Sequence, residues 1–111
     1  MSEQVKMVDV DTALAWVNAG SVVVIDVRER PEFAAAHIAG AHLLPLSEFD
    51  PARLPEVPPG KKLLLQCRSA NRCGMAAAQL VQSGYKGEIN RLAGGLLAWV
   101  AAGAPVVSEP D

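Results

Sequence analysis

The chain has 111 residues, 50% of them hydrophobic, with 10 Lys and Arg against 12 Asp and Glu for a net charge of −2. That length predicts one domain over residues 1–111, burying about two thirds of its unfolded surface without disulfide or metal staples. The charge balance leaves no basic footprint for nucleic acid, and no apolar run approaches the length that spans a bilayer.

Residues 6–8 form a short strand candidate. A helix is predicted over 11–17, where Trp16 falls in an apolar helical pattern, and Asn18-Ala19-Gly20 ends it. Val22-Val23-Val24-Ile25-Asp26-Val27 is β-branched and almost wholly apolar, as suits a central parallel strand covered on both faces. A helical turn at 31–34 and a strand at 41–44 follow. Residues 62–66 are a second buried-strand run, succeeded by a polar loop over 67–74 and a helix over 75–81 that Ser83-Gly84 stops. A strand at 88–91 and a helix at 96–101 complete a core spanning 10–106, and the tail frays from Ser108 to Asp111. Gly94-Gly95 reads as the tight turn into the last helix, since the full Gly-x-Gly-x-x-Gly phosphate pattern is missing. Strands alternating with helices predict an α/β fold with a mainly parallel sheet. Ligands of such sheets gather beyond the C-terminal strand ends, where both Asp26 and Cys67 fall.

Cys67 stands where strand becomes helix, in Cys67-Arg68-Ser69-Ala70-Asn71-Arg72-Cys73-Gly74. Backbone N–H groups of a loop curling into a helix can converge on an anion, and the helix dipole adds positive potential there. With Arg68 and Arg72 contributing full charges, this setting favours a thiolate and makes Cys67 the predicted nucleophile toward an anionic substrate. An inert core cysteine has no use for two arginines in the next five positions. The predicted anion cradle is the backbone of Arg68, Ser69, Ala70, Asn71, Arg72 and Cys73. Ser69 and Asn71 either line it or close the loop by turn chemistry. Asp26 is placed to orient Arg28 or Arg72 by a charge-assisted hydrogen bond, most simply as a structural pair.

Only two cysteines occur, and the start Met1-Ser2-Glu3-Gln4-Val5-Lys6 carries no secretory apolar segment, so a reducing, cytoplasmic setting is expected. His37 and His42 do not make zinc ligands with Cys67 and Cys73. The cysteines lie farther apart than the usual zinc pairing, and neither histidine has a close partner in sequence. Trp16 and Trp99 are expected in core or rim packing. No metal or cofactor is expected.

Four blocks in order resemble the single-domain rhodaneses, a family of sulfurtransferases. They are Val24-Ile25-Asp26-Val27-Arg28-Glu29; Glu32-Phe33 with His37-Ile38-Ala39-Gly40-Ala41; the 67–72 loop; and Gly94-Gly95-Leu96-Leu97-Ala98-Trp99. The resemblance runs from residue 10 to 106. It implies a five-stranded parallel sheet with helices on both faces and a structural role for His37. It also implies transfer of a sulfane sulfur from thiosulfate or a persulfide donor, through a Cys67 persulfide, to a thiol or cyanide. In this family, four residues between cysteine and arginine go with sulfur chemistry, and five with relatives resembling phosphatases and arsenate reductases. This chain has four. It departs from the family pattern at Ala70, where glycine is frequent, at Ala36, also usually glycine, and at Cys73, where Ser or Thr often follows the second arginine. With a phosphatase or arsenate reductase as a fourth option that the loop length disfavours, the resemblance leaves three main roles open: an enzyme turning over small anionic donors, a carrier moving sulfur between protein donors and acceptors, and a redox pair. In the last, Cys73 resolves an oxidised Cys67 into a disulfide, which requires Cα atoms within about 7 Å.

Overall fold

The β-branched run at 22–26 becomes a central strand in the computed structural model of the chain, which describes residues 4–69 and 71–109. Ala70 of the predicted cradle, and Pro110 and Asp111 of the predicted tail, lie outside the described residues. Five strands, β1 (Val5–Val8), β2 (Val22–Asp26), β3 (His42–Leu43), β4 (Lys62–Gln66) and β5 (Ile89–Leu92), form one sheet in the order β1-β5-β4-β2-β3. All of its strand pairings are parallel. The helices are α1 (Val10–Ala19), α2 (Arg30–Ala35), α3 (Asn71–Gln82) and α4 (Gly95–Ala101).

Alternation along the central strands builds two cores. Ile25, Leu63, Leu65 and Ile89 pack with Cys73, Ala76, Ala77 and Leu80 of α3 on one face. Val24, Leu64 and Leu92 pack with Ala13 of α1 and with Leu96 and Trp99 of α4 on the other. Covering both faces is what permits strands with almost no polar alternation. Trp99 is fully buried, and its indole N–H donates to the Pro105 carbonyl at 2.8 Å. Trp16 is half-buried at the rim, with the Lys62 ammonium 5.7 Å from its ring centroid.

Three features differ from the sequence expectation. The helix after the cysteine begins at Asn71, four residues before the apolar run, so Asn71 to Gly74 are its first turn and not loop. Polar residues are at home there because the first four amides of a helix have no intrahelical partner. Two short 3₁₀ turns, Leu46–Glu48 and Pro51–Arg53, carry the chain between β3 and β4 and were not foreseen. Finally, Val107 makes an antiparallel bridge with His37, and the Glu109 amide donates to the Ala34 carbonyl at 3.0 Å. The segment expected to fray from Ser108 is therefore tied to α2 through Glu109. Among the described residues, no helix is long and apolar enough to cross a membrane.

Candidate active site

Asp26 and Gln66 are register partners at the C-terminal ends of β2 and β4. The chain therefore leaves the sheet at one edge through two adjacent exits, Val27-Arg28 and Cys67-Arg68. Cys67 is 1% exposed, whereas Arg68, Ser69 and Asn71 face solvent. The Leu96 amide donates to the Cys67 carbonyl at 2.8 Å, and the Leu97 amide donates to the Arg68 carbonyl at 3.1 Å. The Gln66 side-chain N–H adds a third bond, to the Cys67 carbonyl at 2.6 Å. The first turn of α4 thus spends its otherwise unpartnered amides on holding the Cys67 loop. Gly95 makes this approach possible. A methyl group there would fall on the Cys67 carbonyl oxygen and within 2.5 Å of the Arg68 carbonyl carbon and oxygen.

Neither cysteine is joined in a disulfide, and both are buried. Cys73, in the first turn of α3, hydrogen-bonds with the Cys67 side chain. That bond first, and burial second, push the Cys73 thiol far above its ordinary range, with Arg91 acting weakly the other way. Cys73 therefore stays protonated and is the donor.

The arginines divide their work. Arg72 grips Glu32 of α2 in a two-pronged pair, Nη1 to Oε1 at 2.7 Å and Nη2 to Oε2 at 2.9 Å. This pairing holds the Glu32 carboxyl down to about 2 and raises Arg72, which also feels the charge of Cys67. Arg28 pairs instead with Asp26, Nη2 to Oδ2 at 2.8 Å and Nε to Oδ1 at 3.0 Å, and donates to the Ala36 carbonyl at 2.6 Å. Both partners are buried, so this is a satisfied ion pair that shapes the turn after β2. Of the two arginines proposed for Asp26, the geometry selects Arg28. Arg68 has no ion-pair or hydrogen-bond partner for its side chain among the described residues.

His37 is structural in form. Its ring stacks on Phe33 at 3.8 Å between centroids, and its Nδ1 lies 2.7 Å from the Phe33 carbonyl. Among the described residues, no three His, Cys, Asp or Glu side chains cluster as a metal site would require.

Two residues at the site escaped the sequence reading. Glu32 had no assigned partner, because its pairing with Arg72 spans 40 positions and leaves no local pattern. Arg91 read only as a strand residue. It is register partner of Leu65, so it shares the face that carries Cys67, and its guanidinium reaches under α3. A methyl at Gly74 would lie 2.9 Å from Arg91 Nη2, which accounts for a glycine in a helical first turn. An arginine within an otherwise buried strand was the available signal.

The fold and the loop together match one known pattern: residues 9–102 fit the rhodanese-like domain. The chain belongs to the rhodanese-like domain family. Its five-stranded parallel sheet is the one the resemblance implied, and a rhodanese-related protein from Thermoplasma volcanium superimposes with a TM-score of 0.77 at 29% identity. That match covers 94% of this chain and 99% of the other. An uncharacterized protein of Synechocystis is 48% identical over 91 residues, 82% of this chain and 50% of the relative. This rhodanese-like chain therefore spans half the length of that curated relative. A sulfurtransferase of Allochromatium vinosum is 37% identical over 87 residues, covering 78% of this chain and 79% of its own.

Proposed function

We propose that this rhodanese-like chain is a sulfurtransferase that carries sulfur as a Cys67 persulfide. The family, and the Allochromatium relative of comparable length named a sulfurtransferase, support sulfur transfer as the general chemistry. The observation that carries the finer reading is Cys67 itself. A buried thiol at the end of a central strand accepts a hydrogen bond from Cys73 beside the first turn of α3, with the Arg72 cation in electrostatic reach.

The Cys67 thiolate attacks the outer sulfur of thiosulfate. A sulfur–sulfur bond forms, the bond to the sulfite sulfur breaks, and sulfite leaves with the electron pair. Arg68, exposed and uncommitted, captures the anionic donor, while Arg72, fixed by Glu32, contributes field from a set position. The amides opening α3 and the Cys73 thiol stabilise the terminal sulfur of the persulfide, as an oxyanion hole stabilises developing charge. Cyanide or a thiolate then removes that sulfur and returns Cys67 to the thiolate. A redox role for the cysteine pair is the weaker reading, because a thiol held protonated is a poor nucleophile for closing a disulfide.

Intact mass of the reduced protein, before and after thiosulfate and then after cyanide, tests this. One added sulfur that survives in Cys73→Ser, disappears in Cys67→Ser and leaves as thiocyanate is the expected result. No gain with thiosulfate or with an organic persulfide refutes it.

A further inference from the structure

The chain's four lysines all fall at one end of the molecule. Lys61 and Lys62 open β4, Lys6 stands in the first half of β1, and Lys86 comes just before β5, so all four gather at the N-terminal edge of the sheet, opposite the edge that carries Cys67. Neighbouring strands lie about 4.8 Å apart, so across β1, β5 and β4 these cations spread over about 10 Å. An open pocket of about 430 Å³ sits at this edge, with Val57, Pro58, Lys61, Lys62, Tyr85 and Glu88 in its lining. Glu88 is the acid of that lining, and it is already committed. Lys6 and Lys62 each lie 3.3 Å from one of its oxygens, and the Asn90 side-chain N–H donates to it at 3.0 Å. Lys61 and Lys86 are exposed and have no ion-pair partner among the described residues. Glu56, one residue before Val57, is exposed too, and with it counted this end stays positive in a chain of net charge −2.

The shape of the patch selects its occupant. A single small anion reaches one or two of these cations. An extended chain, at about 3.3 Å per residue, passes all of them within about four residues, and its alternate side chains face the same way. Val57, Pro58 and Tyr85 add apolar surface that a phosphate chain leaves unused. We propose that the lysine edge docks an acidic, extended segment of a partner protein, its carboxylates facing the lysines and an apolar side chain entering the pocket between them. The segment lies at the far end of the sheet from Cys67, so it tethers a partner and leaves the cysteine edge uncovered. This docking does not depend on the sulfur chemistry proposed above.

The probe is a peptide of three glutamates, one leucine and three glutamates, added at low ionic strength to the nitrogen-15-labelled full chain and followed by amide chemical shifts. In an extended peptide the leucine and the glutamates two positions to either side share one face. Shifts should concentrate at residues 57–63 and 85–88, and a counterpart with glutamine for every glutamate should give none. Lys61→Gln with Lys86→Gln, both exposed, should weaken binding about fivefold, at about two- to threefold per exposed ion pair. Serine in place of the peptide's leucine should weaken it by a similar factor. Raising salt from about 0.01 M to about 1 M shortens the screening length from about 30 Å to about 3 Å and should largely remove binding. No binding of the acidic peptide, equal binding of the glutamine peptide, an unchanged affinity in the double variant, or shifts centred on residues 67–72 overturns the proposal. Tighter binding at the lysine edge by tripolyphosphate or a single-stranded oligonucleotide than by the peptide also overturns it, because the edge is then a phosphate site.

Discussion

Replacing Gly95 by alanine separates backbone strain from collision with the active loop. At Gly95 φ is +59°, and at Gly20, which ends α1, it is +68°. The left-handed conformation alone therefore costs both alanine variants about 1 kcal/mol. Around Gly20 nothing lies within 4 Å, so Gly20→Ala should stop at that cost. At Gly95 the methyl meets the backbone of Cys67 and Arg68, within 2.5 Å of the Arg68 carbonyl carbon and oxygen. Neither can rotate aside as a side chain does. Forced overpacking adds about 1–3 kcal/mol, and weakening the Leu96 and Leu97 amide bonds adds about 1 kcal/mol more. The sum is about 3–5 kcal/mol, which at a typical slope moves a urea midpoint by roughly 2 M. Equilibrium urea unfolding of the two variants beside wild type reads this directly, and sulfur loading from thiosulfate should fall in Gly95→Ala and not in Gly20→Ala. If Gly95→Ala unfolds within about 0.5 kcal/mol of Gly20→Ala and loads sulfur normally, the claim that α4 seats the loop is wrong.

Other perturbations reach different parts of the site. Cys73→Ala deletes a hydrogen bond to a charged sulfur, worth about 1.5 kcal/mol, so sulfur loading should slow about tenfold, whereas Cys73→Ser should restore it; equal rates in all three proteins would remove Cys73 from the mechanism. The Glu32 carboxyl is depressed from its ordinary 4.5 to about 2, so it stabilises the fold above pH 4.5 and loses that contribution as pH falls toward 2. Because both partners are about one third exposed, the worth is about 1 kcal/mol. Urea unfolding of Glu32→Gln and wild type should differ by that much at pH 7 and converge near pH 2, and a constant gap would refute the assignment. Gly74→Ala gains up to about 1 kcal/mol of helix propensity but displaces the Arg91 guanidinium, so stability should change little while loading slows. Unaltered loading would show that the position of Arg91 is immaterial.

The place of Cys67, directly after β4 at the C-terminal edge of the sheet, was legible because its signal is local: a breaker-free strand, a thiol and two arginines in sequence. The strands at 22–26 and 62–66 were legible for the same reason, since burial on both faces writes itself as an unbroken apolar run. What could not be read was set by contacts between distant segments. Whether Asp26 takes Arg28 or Arg72 depends on Glu32 competing for Arg72 from another helix. The start of α3 differs from the expectation because Asn71 to Gly74 have a loop-like composition that a helix's first turn also accepts. Arg91 looked like a strand residue until β5 was set beside β4. The strand expected at 41–44 is present but shorter, His42–Leu43, paired with Ile25 and Asp26 of β2.

The bonds from α4 to the Cys67 loop also bear on the order in which the protein is made. Strand β4 and its cysteine leave the ribosome almost thirty residues ahead of Leu96 and Leu97. The neighbour that fixes the two loop carbonyls is thus synthesised well after the loop itself. Until α4 docks, Cys67 has the reactivity of a thiol in a mobile chain, without a defined arrangement of amides around it. On the proposed function, the reactivity of Cys67 is therefore a property of the completed fold, and a folding intermediate lacking α4 holds the proposed nucleophile but not its setting.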